Sequence, residues 1–281
     1  MSSLSLNPRD VSHSSPLSWG LLNSLVLACP HCSQALALDT SGATCPTGHH
    51  FDRAKEGYLN LLVGGRVPST KTPGDTAESL AARRRFLHAG WYQPIAHALR
   101  DAIGNGNDPI LDVGCGEGYY LATLDRAESY ALDISKRAIQ MASKLLPQTQ
   151  CVVGTAFRLP IQDQSLGAVY TVFAPHSISE YLRVLQPGGR WVTVTPGPNH
   201  LREMRGHHDD KTTERDDRRT EPPVEALHAE RVQFTLELTD EAAHDLFTMT
   251  PLQFQAAAHS AVATVRSVTV DVWVSHAIKH H

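Results

Sequence analysis

The stretch Asp108-Pro-Ile-Leu-Asp-Val-Gly-Cys-Gly-Glu-Gly-Tyr-Tyr120 decides the fold. Its apolar run Ile110–Val113 reads as a buried strand, and Gly114, Gly116 and Gly118 follow where strand turns into helix. Glycine suits that turn because the backbone must take positive φ and let a ligand come close. A dinucleotide fold would show G-x-G-x-x-G with a pyrophosphate on the helix N-terminus. Here the spacing is G-x-G-x-G, and Asp112 lies inside the strand end. A carboxylate there repels a pyrophosphate and suits a cationic ligand without phosphates. The next strand, Ser129–Asp133, ends in an acid seventeen residues beyond Gly116, where it could accept both hydroxyls of a ribose.

Together the strand, the three glycines and the second-strand acid predict an S-adenosylmethionine pocket in an α/β, Rossmann-like class I methyltransferase domain. The alternation continues. Ser135 caps a helix to Leu146 that Pro147 stops, and Gln150–Val153 is a third strand. Ala156 and Phe157 follow, where such folds contact the adenine. The acid that many such folds carry there is missing, so backbone groups and Phe157 are expected to serve instead. Leu166–Phe173 is the expected fourth, central strand. Phe173 to His176 should then border the methyl-transfer centre, because ligands bind at the carboxyl edge of α/β sheets. The bland alternative is a core Phe173 and a Pro175 that opens a helix. A short helix Tyr181–Leu185, a turn at Gln186-Pro-Gly-Gly189 and a strand Arg190–Thr195 come next. Val232–Leu238 and Val262–Trp273 alternate like antiparallel closing strands, around a helical Glu241–Phe247.

Three of the five cysteines fall between residues 29 and 45, as Cys29-x2-Cys32, twelve residues, then Cys45-x3-His49. Zinc takes four soft or borderline donors in a tetrahedron, and a two-residue gap lets a tight turn aim two thiolates at one ion. The competing redox-pair reading of Cys29 and Cys32 needs a strand–helix context, but Asp39-Thr-Ser-Gly42 reads as a hairpin turn. His31 and His50 are spare imidazoles. His49 is preferred over His50 because it keeps the second gap shorter. Four ligands leave no open position, so this zinc is expected to be structural, holding a loop-rich module too small to fold by burial alone.

Hydrophobic residues form 41% of the 281 and charged residues 19%, which allows a sizeable core and excludes wholesale disorder. No apolar run is long enough for a membrane span. Leu21 to Ala28 resembles a secretory core, but the only early base, Arg9, is neighboured by Asp10, so an extension followed by a first strand is expected. The cytoplasm is the expected location. The net charge of −4 hides an uneven spread: residues 53–100 hold eight Lys or Arg and three acids. Local charge decides where phosphates go, although a solvated helix face would look the same. Residues 207–223 contain no apolar side chain and are expected to form a mobile loop.

The residues also resemble a known family, the 23S ribosomal RNA guanine-N1 methyltransferases that act on a hairpin loop lining the peptide exit tunnel. The likeness runs from the cysteine motifs through Phe51-Asp52, Lys55-Glu-Gly-Tyr58-Leu-Asn60 and Pro73-Gly-Asp75-Thr-Ala-Glu78. It continues in Ala82-Arg83-Arg84, Phe86-Leu87, Gly90-x-Tyr92-x-Pro94 and the glycine loop, and closes with Ala174-Pro175, Pro187-Gly-Gly189 and Thr195-Pro-Gly-Pro-x-His200-Leu201. The N-terminal extension (1–26) and the apolar-free loop after His207 depart from the family's pattern. The resemblance implies a zinc module (27–66). A methyltransferase domain (67–281) follows, with a helical linker and cofactor cap at 67–104. It also implies a homodimer acting on 23S RNA or a large-subunit precursor. It adds Tyr92 and His200 to the expected cofactor set of Asp112, Gly114, Gly116, Glu117, Gly118, Tyr119, Asp133, Ala156 and Phe157. Two branches of the family modify neighbouring guanines, one of them associated with macrolide resistance, and the motif wording here is nearer the housekeeping branch.

Guanine N1 carries a proton at neutral pH, so the base must be unstacked, aligned with the methyl donor and relieved of that proton. Arg83, Arg84 and Arg85 are the expected phosphate track, with Arg84 the most exposed. His176, Glu117 and His200 lie near the right strand ends, and none stands out as the base. A metabolite or quinone methyltransferase is the main alternative, with no use for a zinc module or an arginine cluster. A non-catalytic RNA-binding relict would show a damaged glycine loop, and this one is intact.

Overall fold

A computed structural model describes residues 25–63, 76–205, 228–254 and 264–280. The loop expected at 207–223 and residues 1–24 of the expected extension lie outside the described residues. A small antiparallel sheet, β1 (Ala37–Leu38), β2 (Gly42–Thr44) and β3 (His50–Asp52), opens the described chain. Its first turn is the hairpin expected from Asp39-Thr-Ser-Gly42: the Asp39 carboxylate accepts the backbone N–H groups of Ser41 and Gly42 at 2.7 and 2.8 Å. The first strand expected after the extension is present only as isolated bridges, Leu27 to Ile161 and Ala28 to Ala35. Val26 is buried and thus belongs to the folded body rather than to an extension.

The main sheet has eight strands. Five parallel ones are β7 (Gln150–Val153), β6 (Ser129–Asp133), β5 (Ile110–Val113), β8 (Leu166–Val172) and β9 (Leu185–Pro196). β11 (Ser267–Ile278) and β10 (His228–Glu237) continue antiparallel beyond β9, and β4 (Leu59–Asn60) adds a parallel edge beside β7. β5 and β7 are buried at every position, as near-continuous apolar runs in a two-sided parallel sheet should be. The last strand starts at Ser267 rather than near Val262, which lies outside the described residues. β8 stops at Val172, because Phe173 turns into the left-handed region at φ 56°.

Side chains alternate between two cores. Ile110, Ala131 and Tyr170 face one side of the sheet, with α1 (Ala77–His88), α2 (Gln93–Ile103), α3 (Tyr119–Ala122), α4 (Lys136–Leu145) and α6 (Asp240–Thr248) contributing. Leu111, Tyr130, Leu132 and Val169 face the other, with α5 (Ile178–Val184) and the cysteine-rich segment. The helices start where short oxygens can take orphan N–H groups: Thr76, Ser135, Ser177 and Thr239 each accept from the residue three positions on. α5 begins earlier than Tyr181 for that reason, since the Ser177 hydroxyl accepts the Glu180 N–H, while the Glu180 carboxylate accepts from the Leu159 N–H and Arg183.

The cysteine-rich segment is sewn to the sheet. β4 runs in register with Val152 and Val153, the Gln162 N–H reaches Val26 O at 2.7 Å, and Arg53 donates to the Gln150 side chain at 2.9 Å. Leu27, Leu36, Cys45 and Leu59 share one core with Leu111 and Val152. No described helix is long and apolar enough to cross a membrane.

Candidate metal centre and cofactor site

One ligand atom from each of Cys29, Cys32, Cys45 and His49 falls within a 4.8 Å cluster. Zinc–sulfur bonds of about 2.3 Å would set tetrahedral sulfurs about 3.8 Å apart. The Cys32 and Cys45 sulfurs are 3.7 Å apart, and His49 Nδ1 is 3.3 Å from Cys45 Sγ and 3.6 Å from Cys29 Sγ. The donors therefore fit a closed tetrahedral zinc. Burial pushes the Cys45 thiol up, yet hydrogen bonds from Thr47 and His49 outweigh it and bring it to about 5, favouring the thiolate that a metal needs. His50 is engaged elsewhere, with Thr44 Oγ1 at 2.8 Å and Asp52 at 3.2 Å.

The second site lies at the carboxyl ends of β5, β6 and β8. Gly114 and Gly116 have φ of 74° and 56°. A Cβ on Gly114 would meet that of Ala174 at 2.3 Å, so the glycine lets the end of β8 close over the loop. Asp133 clamps the loop from β6: one carboxylate oxygen accepts the Gly116 N–H at 2.9 Å and the other the Ser135 N–H at 2.8 Å. A carboxylate oxygen has two lone pairs, so this clamp leaves room for ribose hydroxyls. Ile134 (45% exposed) and Phe157 (64%) offer apolar surface after the ends of neighbouring strands, while Ala156 is half-buried.

Asp112 is buried and its Oδ2 has no hydrogen-bond partner. Burial pushes its carboxyl up to about 8. The Tyr92 hydroxyl is likewise buried without a partner. Orphaned polar atoms beside a glycine loop are what a bound polar cation would satisfy. Glu117, also buried, has its carboxyl pushed up to about 7 by burial, against Arg84 and Arg83, and lies 3.3 Å from His88 Nε2. Tyr119 is half-buried and packs edge-on to His88.

Phe173, Tyr92 and His200 meet as a ring cluster, with Phe173 and His200 centroids 5.3 Å apart. His200 is held by Asp271, whose backbone N–H donates to its Nδ1 at 3.3 Å. Burial drives the imidazole down to about 4, so it is neutral with its proton on Nε2. The Asp271 carboxylate itself accepts Asn199 N–H and both arms of Arg231, each at 2.8 Å, and so winds the loop before His200 into place. Neither residue was expected from the sequence. The signal was a lone acid in the apolar run Val268-Thr-Val-Asp-Val-Trp-Val274, and its partner lies forty positions away. His176 donates from Nδ1 to Ala174 O at 3.1 Å, which leaves Nε2 with a lone pair.

The three arginines of α1 separate. Arg83 reaches the Met249 carbonyl at 3.4 Å and lies against Gly116. Arg84 is exposed and 3.8 Å from Glu117, and Arg85 makes a two-pronged pair with the buried Asp245 of α6.

Comparison with known proteins matches both halves of this arrangement. Residues 27–63 match the family described as RlmA, N-terminal, a zinc ribbon, and residues 111–193 match a methyltransferase domain. The chain is 35% identical over 244 residues to the 23S rRNA (guanine(748)-N(1))-methyltransferase of Streptomyces fradiae, spanning 80% of this chain and 84% of that protein. A Micromonospora griseorubida protein, provisionally named a 23S rRNA (guanine-N(1)-)-methyltransferase, is 36% identical over 74% of this chain and 81% of its own length. With a closed four-donor zinc ribbon, a glycine loop suited to S-adenosylmethionine and such relatives across most of its length, this chain belongs to the 23S rRNA (guanine-N1)-methyltransferase family.

Proposed function

We propose that the protein transfers the methyl group of S-adenosylmethionine to N1 of a guanine in a 23S rRNA hairpin loop near the peptide exit tunnel. The observation that carries this reading is likeness to a guanine-N1 methyltransferase over 80% of the chain, beside a matched zinc ribbon at 27–63 and methyltransferase domain at 111–193. The metabolite reading accounts for the loop alone. Bound S-adenosylmethionine supplies an electrophilic methyl on a sulfonium. The chain supplies the pocket: the Asp133 clamp for ribose, Ile134 and Phe157 for adenine, and the buried Asp112 and Tyr92 oxygens for the cationic end. Gly114, Gly118, Glu117, Tyr119 and Ala156 complete it.

Around the transfer centre, Phe173 is the surface on which an unstacked base would lie, and His200 Nε2–H is a donor suited to guanine O6. Charge that builds on O6 as N1 loses its proton would be met by that donor. His200 is therefore the wrong tautomer for a base, and Glu117 lies against His88 and Arg84. His176 presents the lone pair that could take the N1 proton. The protein works in the cytoplasm as a homodimer, on free 23S RNA or a large-subunit precursor.

The test is primer extension on 23S RNA from cells with and without the gene, because N1 methylation blocks pairing and stops reverse transcription. Guanine 748 is the first position to read, since the S. fradiae relative is named for it. A stop that persists without the gene would overturn the assignment. A His176→Gln enzyme should keep its cofactor affinity and lose turnover, and unchanged turnover would remove His176 from the mechanism.

A further inference from the structure

α1 and α4 flank a groove of about 730 Å³ that lies outside the pocket just described. Arg84 and Arg85 line it from α1, and Lys136, Arg137 and Lys144 line it from α4, while the other lining residues are uncharged. Five cations and no acid line this concave surface. Arg85 is paired with Asp245 and Arg84 lies by Glu117, so the three cations of α4 are the ones whose mutual repulsion is uncompensated. The arrangement also runs against the helix it is built on. Lys136 and Arg137 occupy the first turn of α4, which has no acid, although a helix N-terminus favours negative charge. Lys136, Arg137 and Lys144 make no ion pair with any described residue. Both penalties disappear if a polyanion occupies the groove.

We infer that this groove is the track for the sugar–phosphate backbone of the RNA substrate. The groove adjoins the cofactor loop: Arg84 is 3.8 Å from Glu117, and Lys136 follows Asp133 by three positions. A strand lying in it would lead directly from the methyl-transfer centre. The inference redraws the arginine cluster of α1. Arg84 and Arg85 belong to the track, whereas Arg83 turns to Gly116 and belongs to the cofactor side. It rests on the proposal that the substrate is ribosomal RNA.

The test uses the full-length protein with Lys136→Gln, Arg137→Gln and Lys144→Gln combined. Binding to a 23S hairpin fragment is measured across a salt series, S-adenosylmethionine binding by calorimetry, and methylation by primer extension. Each phosphate left without its cation should lower the slope of log affinity against log salt by about 0.7, so the triple variant should fall by about two. Its RNA affinity at low salt should fall at least tenfold, with cofactor affinity unchanged. Lys136→Arg with Lys144→Arg should retain the wild-type slope, and so should Arg83→Gln. A triple variant with wild-type RNA affinity and slope would overturn the inference, as would one that loses cofactor affinity instead. If the wild-type enzyme neither binds nor methylates 23S RNA, the proposed function fails, and the groove's occupant with it. If it does both and only the groove variants are silent, the groove alone fails.

Discussion

In the ribbon, four donor atoms converge to within 4.8 Å and each faces the other three. Beside the glycine loop, the Tyr92 hydroxyl and an Asp112 oxygen are buried and make no hydrogen bond. The ribbon's four donors share one small target, so a single ion satisfies all of them and the result is mechanical. The cofactor site spreads its needs over three strand ends and the start of α2, so only an extended ligand satisfies them. The first site is built to be filled permanently, the second to be filled and emptied.

Removing the metal is the strongest way to break this contrast. Structural zinc contributes roughly 10–16 kcal/mol in small zinc-binding peptides. A Cys29→Ala protein, or one treated with chelator, should lose amide-exchange protection throughout 27–61. Because β4 pairs with β7, protection at 150–153 should weaken too, while β5 and β8 stay protected. A β7 edge that keeps full protection without zinc would show that the ribbon is only appended. Metal analysis of the untreated protein should give one zinc per chain.

Asp133→Ala comes next. It deletes charge-assisted hydrogen bonds of roughly 1.5–3 kcal/mol each, so S-adenosylmethionine should bind one to three decades more weakly. The ribbon's zinc content should not change. An unaltered dissociation constant would mean that Asp133 serves only the Gly116 clamp.

A third effect is in acid. His200 is neutral in the folded protein down to about pH 4, whereas an unfolded histidine takes up a proton near 6.5. Between those values the unfolded state binds more protons, so stability falls as pH drops from 6.5 to 4, by about 3 kcal/mol in all. Denaturant titrations of the wild type and a His200→Gln variant should show this slope in the first and its loss in the second. Equal slopes would place the acid sensitivity elsewhere.

How much of this was legible depended on distance along the chain. The glycine loop, the Asp133 strand end, the Ser135 cap and the four metal donors are local patterns, and each encodes its own geometry. The β4–β7 pairing, the Arg85–Asp245 pair and the Arg231–Asp271 support of the His200 loop join positions forty or more apart. Nothing in a single sequence marks such partners. The arginines of α1 show the limit well: three adjacent identical residues suggested one job. Helical geometry turns consecutive side chains about 100° apart, and it sent them to three different neighbours.

The placement of β4 along β7 has one more consequence. A bare β7 would present the apolar row Cys151-Val-Val153 with unpaired backbone groups, a template for strands from other molecules. By holding β4 against it, the ribbon covers that edge, so loss of zinc should favour strand-to-strand aggregation. Zinc starvation would then show itself first as clumping of the enzyme during synthesis, before any shortage of methylated ribosomes could be felt.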